Sequence, residues 1–437
     1  THNNPGTPTN QQSALFLARA LNAPALTTDF TNYKEIQSNS KGYSIGHDAS
    51  FELLSFLPNS QTTSCKSTID LELTEKIRGI VQQNIAKLFE KNARNAAVVV
   101  IKLPENEVLS VIGSPDPHGT QDGYKINMAL EPRPIGSTVK PFLYMKAFEK
   151  GVRPYTLIDD REYKYITSIG SPLYPQNFDT TYRGEVTLHY SLSNSLNIPA
   201  LKILEYLGIE NFYEFLHNDL NFTPIQDFET YQLGVALGNI EMSLFDLAHY
   251  FTLFANNGVL IPTTVFSTSS CEQSPKNIQK QIAKKQYVQL INKILSDRLT
   301  SIDQFGLVSQ LNLFQDNYAL KTGTSRDYQD SWIVGYTPDF LVGVWVGNAD
   351  ATPTDKLSGQ PGAGKIWSQV MELLFNSPYN KKTAFDFSHI QEFTESGEIE
   401  YGLIYDNYDY YRTILKEQDT AIILQPHNGD IFSFAKS

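Results

Sequence analysis

Apolar residues along this chain recur with two different periods, and the switches between them mark out the elements. Ala96 to Leu103 is an almost unbroken apolar run, Pro104-Glu105-Asn106-Glu107 interrupts it with turn residues, and Val108 to Ile112 resumes it, which predicts a hairpin. Upstream, Leu73, Ile77, Ile80, Val81, Ile85 and Leu88 follow Thr68-Ile69-Asp70 at helical spacing. They predict a helix capped by Asp or Thr and ending near Asn92. Val139, Phe142, Leu143, Met145 and Phe148 repeat that spacing and stop at Gly151, a residue common just past a helix end. The Tyr- and Pro-rich stretch Tyr155 to Arg183 has no period and reads as an ordered, irregular rim.

Glu185 to Gly208 reads as two helical pieces. The first holds Val186, Leu188 and Leu192; the second begins near Pro199 with Leu201, Leu204 and Leu207, and Ser193-Asn194-Ser195-Leu196-Asn197 lies between them. Leu233 to Gly258 reads as a further helix, ended by Asn256-Asn257-Gly258. Tyr318 to Ser325, Trp332 to Tyr336 and Leu341 to Gly347 read as strands, and Ile366 to Phe375 as a helix. With the hairpin this makes five strands, all joinable antiparallel, with helices between the second and third. The predicted class is α+β: a five-stranded antiparallel sheet with helices on both faces, and a small β-rich C-terminal segment.

Domain expectations follow from where pattern is lost. Residues 1–64 are rich in Pro, Asn, Ser and Gln, with a short helix at Gln11 to Leu21 and an apolar turn at Phe51 to Leu57, and read as linker. Residues 65–376 form the main domain. Residues 377–437, acidic and Tyr-rich with strand-like runs at Gly402 to Tyr405 and Ala421 to Leu424, form a small β module.

Composition narrows the function. A chain of 437 residues that is 41% hydrophobic and 19% charged can bury a substantial core. Its net charge of -12 argues against a nucleic-acid partner. The eight histidines are scattered without metal-ligand spacing, so neither a metal nor a cofactor is expected, and His189 and His249 read as surface or satisfied core residues. Cys65 and Cys271 are too few for a disulfide framework, and their pairing is left open. Gly359 to Lys365 imitates a phosphate loop, but Ile366 stands where Ser or Thr would hold magnesium, so it reads as a flexible turn before a helix. Ala14 to Leu21 is too short and polar for a bilayer span, and the Thr1-His2 start suggests excision from something longer.

The chemistry centres on Glu131 to Phe142. Ser137 and Lys140 are three apart and share a face on a helix. Pro141 cannot donate to the Ser137 carbonyl, which a helix tolerates only in its first turn, where backbone N–H groups are free. A lysine on that buried face loses solvation, favouring its neutral form and suiting it to take a proton from the serine. Ser-x-x-Lys alone is weak: Ser38-Asn39-Ser40-Lys41 repeats it in a polar stretch. Downstream stand Ser195-Leu196-Asn197, which by itself reads as a capping device, and Lys321-Thr322-Gly323-Thr324, which by itself reads as an edge strand with a solvated lysine.

Taken in order, the three strings resemble the Ser-x-x-Lys, Ser-x-Asn and Lys-Thr-Gly set of penicillin-binding proteins and serine β-lactamases. Tyr174 to Asp179, Arg183 to Val186, Ser193 to Ala200, Gly234 to Gly238 and Asp330 to Gly347 further resemble class A penicillin-binding proteins, nearest the one-C subgroup, over roughly residues 65 to 375. Leu196 departs from the residue other members carry, the upstream glycosyltransferase region and membrane anchor are not seen, and nothing resembles the deacylating glutamate of class A β-lactamases.

The resemblance implies a D,D-transpeptidase that cross-links peptidoglycan stem peptides, outside the cytoplasmic membrane of a bacterium, with β-lactams as covalent inhibitors. Ser137 would be the nucleophile and Lys140 its base, Ser195 would pass a proton to the leaving amine, and Asn197 would hold Lys140 and the substrate amide. Lys321 would attract a substrate carboxylate, with Thr322 and Thr324 as donors, Gly323 allowing close approach, and the N–H groups of Ser137 and Thr324 forming the oxyanion hole. Membrane attachment would come through a missing N-terminal anchor, and residues 380–437 could meet other wall-synthesis proteins. A D,D-carboxypeptidase, a non-processing β-lactam sensor or scaffold, and a β-lactamase remain as alternatives.

Overall fold

The computed structural model describes residues 48–56, 66–166, 172–266, 279–395 and 397–415. The expected helix at 11–21, the strand at 421–424, Ser38-x-x-Lys41 and both cysteines lie outside the described residues.

A short helix α1 (Asp48–Leu54) is followed by α2 (Leu71–Leu88), whose first turn is closed by Asp70 accepting the N–H of Leu73 at 3.0 Å. The hairpin β1 (Asn95–Lys102) and β2 (Glu107–Ile112) comes next. Much later in the chain follow β5 (Ala319–Thr324), β6 (Asp330–Tyr336) and β7 (Phe340–Gly347). They join in the order β5-β6-β7-β1-β2, antiparallel throughout, as expected. Because both faces of this sheet are covered, its strands are buried at almost every position, and β1 and β7 read as near-continuous apolar runs rather than alternating ones. Val98, Val100, Ile333, Val342 and Val344 point to one layer, with α2 and α8 (Ala363–Phe375). Ala97, Val99, Val334 and Trp345 point to the other, which holds α3 (Lys140–Lys150), α6 (Leu244–Ala255) and α7 (Lys285–Ser296).

Four expectations need correction. The rim is partly ordered as strand, since β3 (Leu157–Asp160) pairs with β4 (Gly184–Thr187), and Tyr165–Ile166 with Pro172–Leu173. Val186 therefore belongs to β4, opposite Ile158, and the first helical piece is the shorter α4 (Leu188–Ser193), followed by α5 (Asn197–Leu207). Leu233 to Gly258 is not one helix. Gly238 turns left-handed at φ +75° after Gly234–Leu237, Glu241–Met242 pairs with Arg133–Pro134, and only then does α6 begin, capped by Ser243. A continuous helix would give up that pairing and the N–H of Gly136 bound to the Gly238 carbonyl at 2.9 Å. The turn at 359–364 is packed rather than loose, because a β-carbon on Gly359 would lie 2.8 Å from Thr322 Cβ and one on Gly362 2.3 Å from Ser331 Oγ.

The C-terminal strands are β8 (Ile390–Glu395) and β9 (Glu398–Leu403), a hairpin lying on α7. The sequence placed the strand late, at 402–405, because β8 is half exposed and its polar residues hide it. Arg153 pairs with Asp406 at 2.8 Å and Arg412 donates to the Tyr155 carbonyl at 2.6 Å, fastening the segment to the loop before β3, while Arg412 also pairs with Glu395 inside the segment at 2.7 Å.

Candidate active site

The turn that carries Ser137 is held by hydrogen bonds to its backbone groups. Gly136–Val139 forms a tight 3-10 turn that runs into α3, with Pro141 in the helix's first turn where its missing N–H costs nothing. The Ile135 and Gly136 N–H groups bond to the carbonyls of Ile240 and Gly238, the Thr138 hydroxyl donates to Ile135 O at 2.8 Å, and the Trp332 indole donates to Pro134 O at 2.9 Å. Gly136 has φ +55° and lies directly on strand β5, so a β-carbon there would sit 2.5 Å from Thr324 O and 2.8 Å from Thr324 N. A β-carbon on Gly323 would be equally close to Ile135 O, at 2.6 Å. The serine and the glycine-bearing strand are thus in backbone contact. Ser137 itself is half exposed, and no hydrogen bond to its hydroxyl is formed among the described residues.

Lys140 is fully buried one turn along from the serine. Its Nζ donates to Ser195 O at 2.6 Å, Asn197 Oδ1 at 2.8 Å and Leu196 O at 3.0 Å, and lies 3.5 Å from Ser195 Oγ. Burial, and then the positive charge of Lys321, push its pKa well below the ordinary lysine value. The ring of oxygens favours the ammonium, so the amine is held by hydrogen bonds while desolvation prepares it to give up charge.

Ser195 sits in the break between α4 and α5 with φ +56°, a strained conformation for a serine. That twist lets its carbonyl reach Lys140 while its hydroxyl accepts from Lys321 Nζ at 2.7 Å. Lys321 is also buried, and burial followed by the charge of Arg298 lowers its pKa to about 7. Lysine side chains on either side of one hydroxyl make Ser195 a bridge between the first and third strings.

The structure brings Lys140, Ser195, Asn197 and Lys321 into one hydrogen-bonded cluster beside the Ser137 turn. Strand alternation turns Lys321 and Gly323 toward that cluster and Thr322 and Thr324 to the other face, where the Thr324 hydroxyl accepts the Gly359 N–H at 3.1 Å. Asn177 orders its loop: it takes the Asn197 N–H at 2.8 Å and donates to Asp160 at 2.8 Å. His249 is a half-buried residue bonded to the Ile261 carbonyl, whereas His189 is fully buried between two carboxylates. Sequence reasoning did not find Gly238, Gly136, Asp297 or Glu400. A glycine's role shows only when the segment it touches is known, and the carboxylates lie on distant elements.

The depressed Lys321 has a thermodynamic signature. Unfolded, it holds its proton to about pH 10.4; folded, only to about 7, so the unfolded chain binds more protons between those values and the penalty of burying Lys321 disappears as pH rises. Urea unfolding of wild type and Lys321→Met should therefore show the variant gaining most at pH 6 and losing ground by up to about 1.4 kcal/mol per pH unit above 7. A difference independent of pH would contradict the depressed value.

A sequence profile of the penicillin-binding protein transpeptidase domain matches residues 96–372. Penicillin-binding protein 1C of Escherichia coli strain K12 is 25% identical over 74% of this chain and 40% of its own length. Penicillin-binding protein 1A of Aquifex aeolicus is 26% identical over 64% of this chain and 38% of its own length. Among solved structures, the PonA1 protein from Mycobacterium tuberculosis in complex with penicillin V superposes with a TM-score of 0.60 at 18% identity, over 89% of this chain and 96% of that one. The chain spans about two fifths of the length of these two curated relatives.

Proposed function

Since the chain belongs to the penicillin-binding protein transpeptidase family, we propose that it is a D,D-transpeptidase that cross-links peptidoglycan stem peptides through an acyl-enzyme on Ser137. The observation that carries this reading is the Lys140–Ser195–Lys321 cluster beside the Ser137 turn. In the first step the Ser137 oxygen attacks a peptide carbonyl and its proton passes to neutral Lys140. The oxyanion lies between the N–H groups of Ser137 and Thr324, each worth roughly 3 kcal/mol in comparable sites. Ser195, hydrogen-bonded to both lysines, hands a proton to the departing amine, so that Lys140 returns to neutral by way of the Ser195 hydroxyl. In the second step an acceptor amine attacks the ester, the proton path runs in reverse, and Ser137 is released.

Lys321 supplies the positive charge that attracts a substrate carboxylate, with Gly323 keeping the strand close; the hydroxyls of Thr322 and Thr324, expected as further donors, lie on the other face of the strand, toward Gly359. β-Lactams acylate the same oxygen. The transpeptidase domain takes in residues 65–376, and the enzyme works outside the cytoplasmic membrane.

The test is to react the protein with a labelled penicillin, digest it, and locate the adduct by mass; it is expected on the peptide carrying Ser137. Label elsewhere, or none, removes the assignment. Incubation with a stem peptide and an amine acceptor then separates the activities: cross-linked product supports the transpeptidase, and release of the terminal residue to water alone makes the protein a carboxypeptidase.

A further inference from the structure

The C-terminal hairpin lies outside the matched transpeptidase region, yet it contributes a carboxylate to the buried surroundings of the active-site break. Glu400 of β9 is buried and accepts from His189 Nδ1 at 3.2 Å. The other ring nitrogen, Nε2, lies 3.2 Å from Asp297 Oδ2, just past the end of α7. Tyr401 of β9 lays its ring on the imidazole, centroids 4.7 Å apart, and donates its hydroxyl to Asp297 at 2.9 Å. Among the described residues these are the charged and titratable groups turned toward His189, and from the loop before β3 the Pro154 carbonyl accepts the His189 backbone N–H.

The cluster touches the catalytic break on two sides. His189 is on α4, the helix that Asn194 caps and Ser195 follows. Asp297 holds the N–H and hydroxyl of Thr300. The Thr300 carbonyl and the Gln304 N–H in turn take both ends of the Asn194 amide, at 2.8 and 3.1 Å. Asn194 is buried next to the strained Ser195.

We propose that Glu400, His189 and Asp297 are positioning residues: a buried ion cluster through which the C-terminal hairpin holds α4 and fixes Ser195 between the two active-site lysines. The proposal rests on the acyl-enzyme reading above. Burial alone would lower the His189 pKa, but its contacts with Asp297 and Glu400 outweigh burial and raise it to about 9. The imidazolium's stabilisation is therefore full below about pH 6.5 and lost as pH rises through about 9. A neutral imidazole has one N–H and must leave one carboxylate facing a lone pair.

The experiment measures the rate of Ser137 acylation by a fluorescent penicillin from pH 6 to 9 in the whole protein. Glu400→Gln keeps an acceptor but removes the charge; Glu398→Gln, exposed on the same strand, is the control. Dividing variant by wild-type rates cancels the titration of Lys140 and Lys321. For Glu400→Gln the ratio is expected near one at pH 6, falling about tenfold by pH 8.5, and for Glu398→Gln near one throughout. Tyr401→Phe, which removes only the hydroxyl on Asp297, gives a smaller fall and serves if Glu400→Gln does not fold. A ratio that is flat with pH, whether near one or uniformly low, overturns the positioning role while leaving the enzyme reading intact. Wild type that takes no label on Ser137 overturns both.

Discussion

Replacing Lys140 with methionine is expected to slow acylation of Ser137 by a penicillin about 10²–10⁴-fold, the range spanned by a lost general base. Methionine matches lysine in length and suits a fully buried site, so the loss reports the missing proton acceptor rather than a cavity. The carbonyls of Ser195 and Leu196 and the Asn197 amide oxygen lose a donor, at roughly 1–3 kcal/mol for each left buried and unpaired, so the melting temperature falls as well. Rates are therefore compared at a temperature where circular dichroism shows both proteins folded. A variant acylated within threefold of wild type would remove Lys140 as the base and leave Lys321, reached through the Ser195 hydroxyl, as the proton acceptor.

The second large effect comes from a single methyl group. Gly136→Ala is expected to reduce acylation about 10²–10³-fold, as does loss of one oxyanion-hole donor in other acyl-transfer sites. The added Cβ would fall 2.5 Å from the carbonyl oxygen and 2.8 Å from the nitrogen of Thr324, and neither can swing aside because both are backbone in a paired strand. The φ of +55° adds strain of its own for alanine. The strand and the serine turn must separate, carrying the two N–H groups apart. The lysine and serine side chains are untouched, so acylation should fall far more than thermal stability. Wild-type rates would show that these N–H groups do not cooperate.

What could be seen in advance followed from how local each cause is. The central strands were visible because burial on both faces leaves runs such as Ala96 to Leu103 almost free of polar residues. The three site strings were visible because they combine chemical groups with positions where helix or strand ends. The rest depended on partners far along the chain. Val186 looked helical because Leu188 and Leu192 follow it, but pairing with Ile158 draws it into a strand. Gly238 looked like part of a helix because its role is to pass Gly136, about a hundred residues earlier. His189 could be read as a satisfied core residue, but not as an imidazolium, since its carboxylates come from the end of α7 and the hairpin beyond the main sheet.

The stacking of Gly238 on Gly136 on Thr324 sets how little the backbone beneath Ser137 can be altered. At 1.8 Å from Gly136 O, a β-carbon on Gly238 has no more room than one on Gly136, so a side chain at either position must displace the turn that carries Ser137. Tyr174, Phe178 and Tyr182 are exposed, and side chains can change there while the backbone beneath the serine stays as it is.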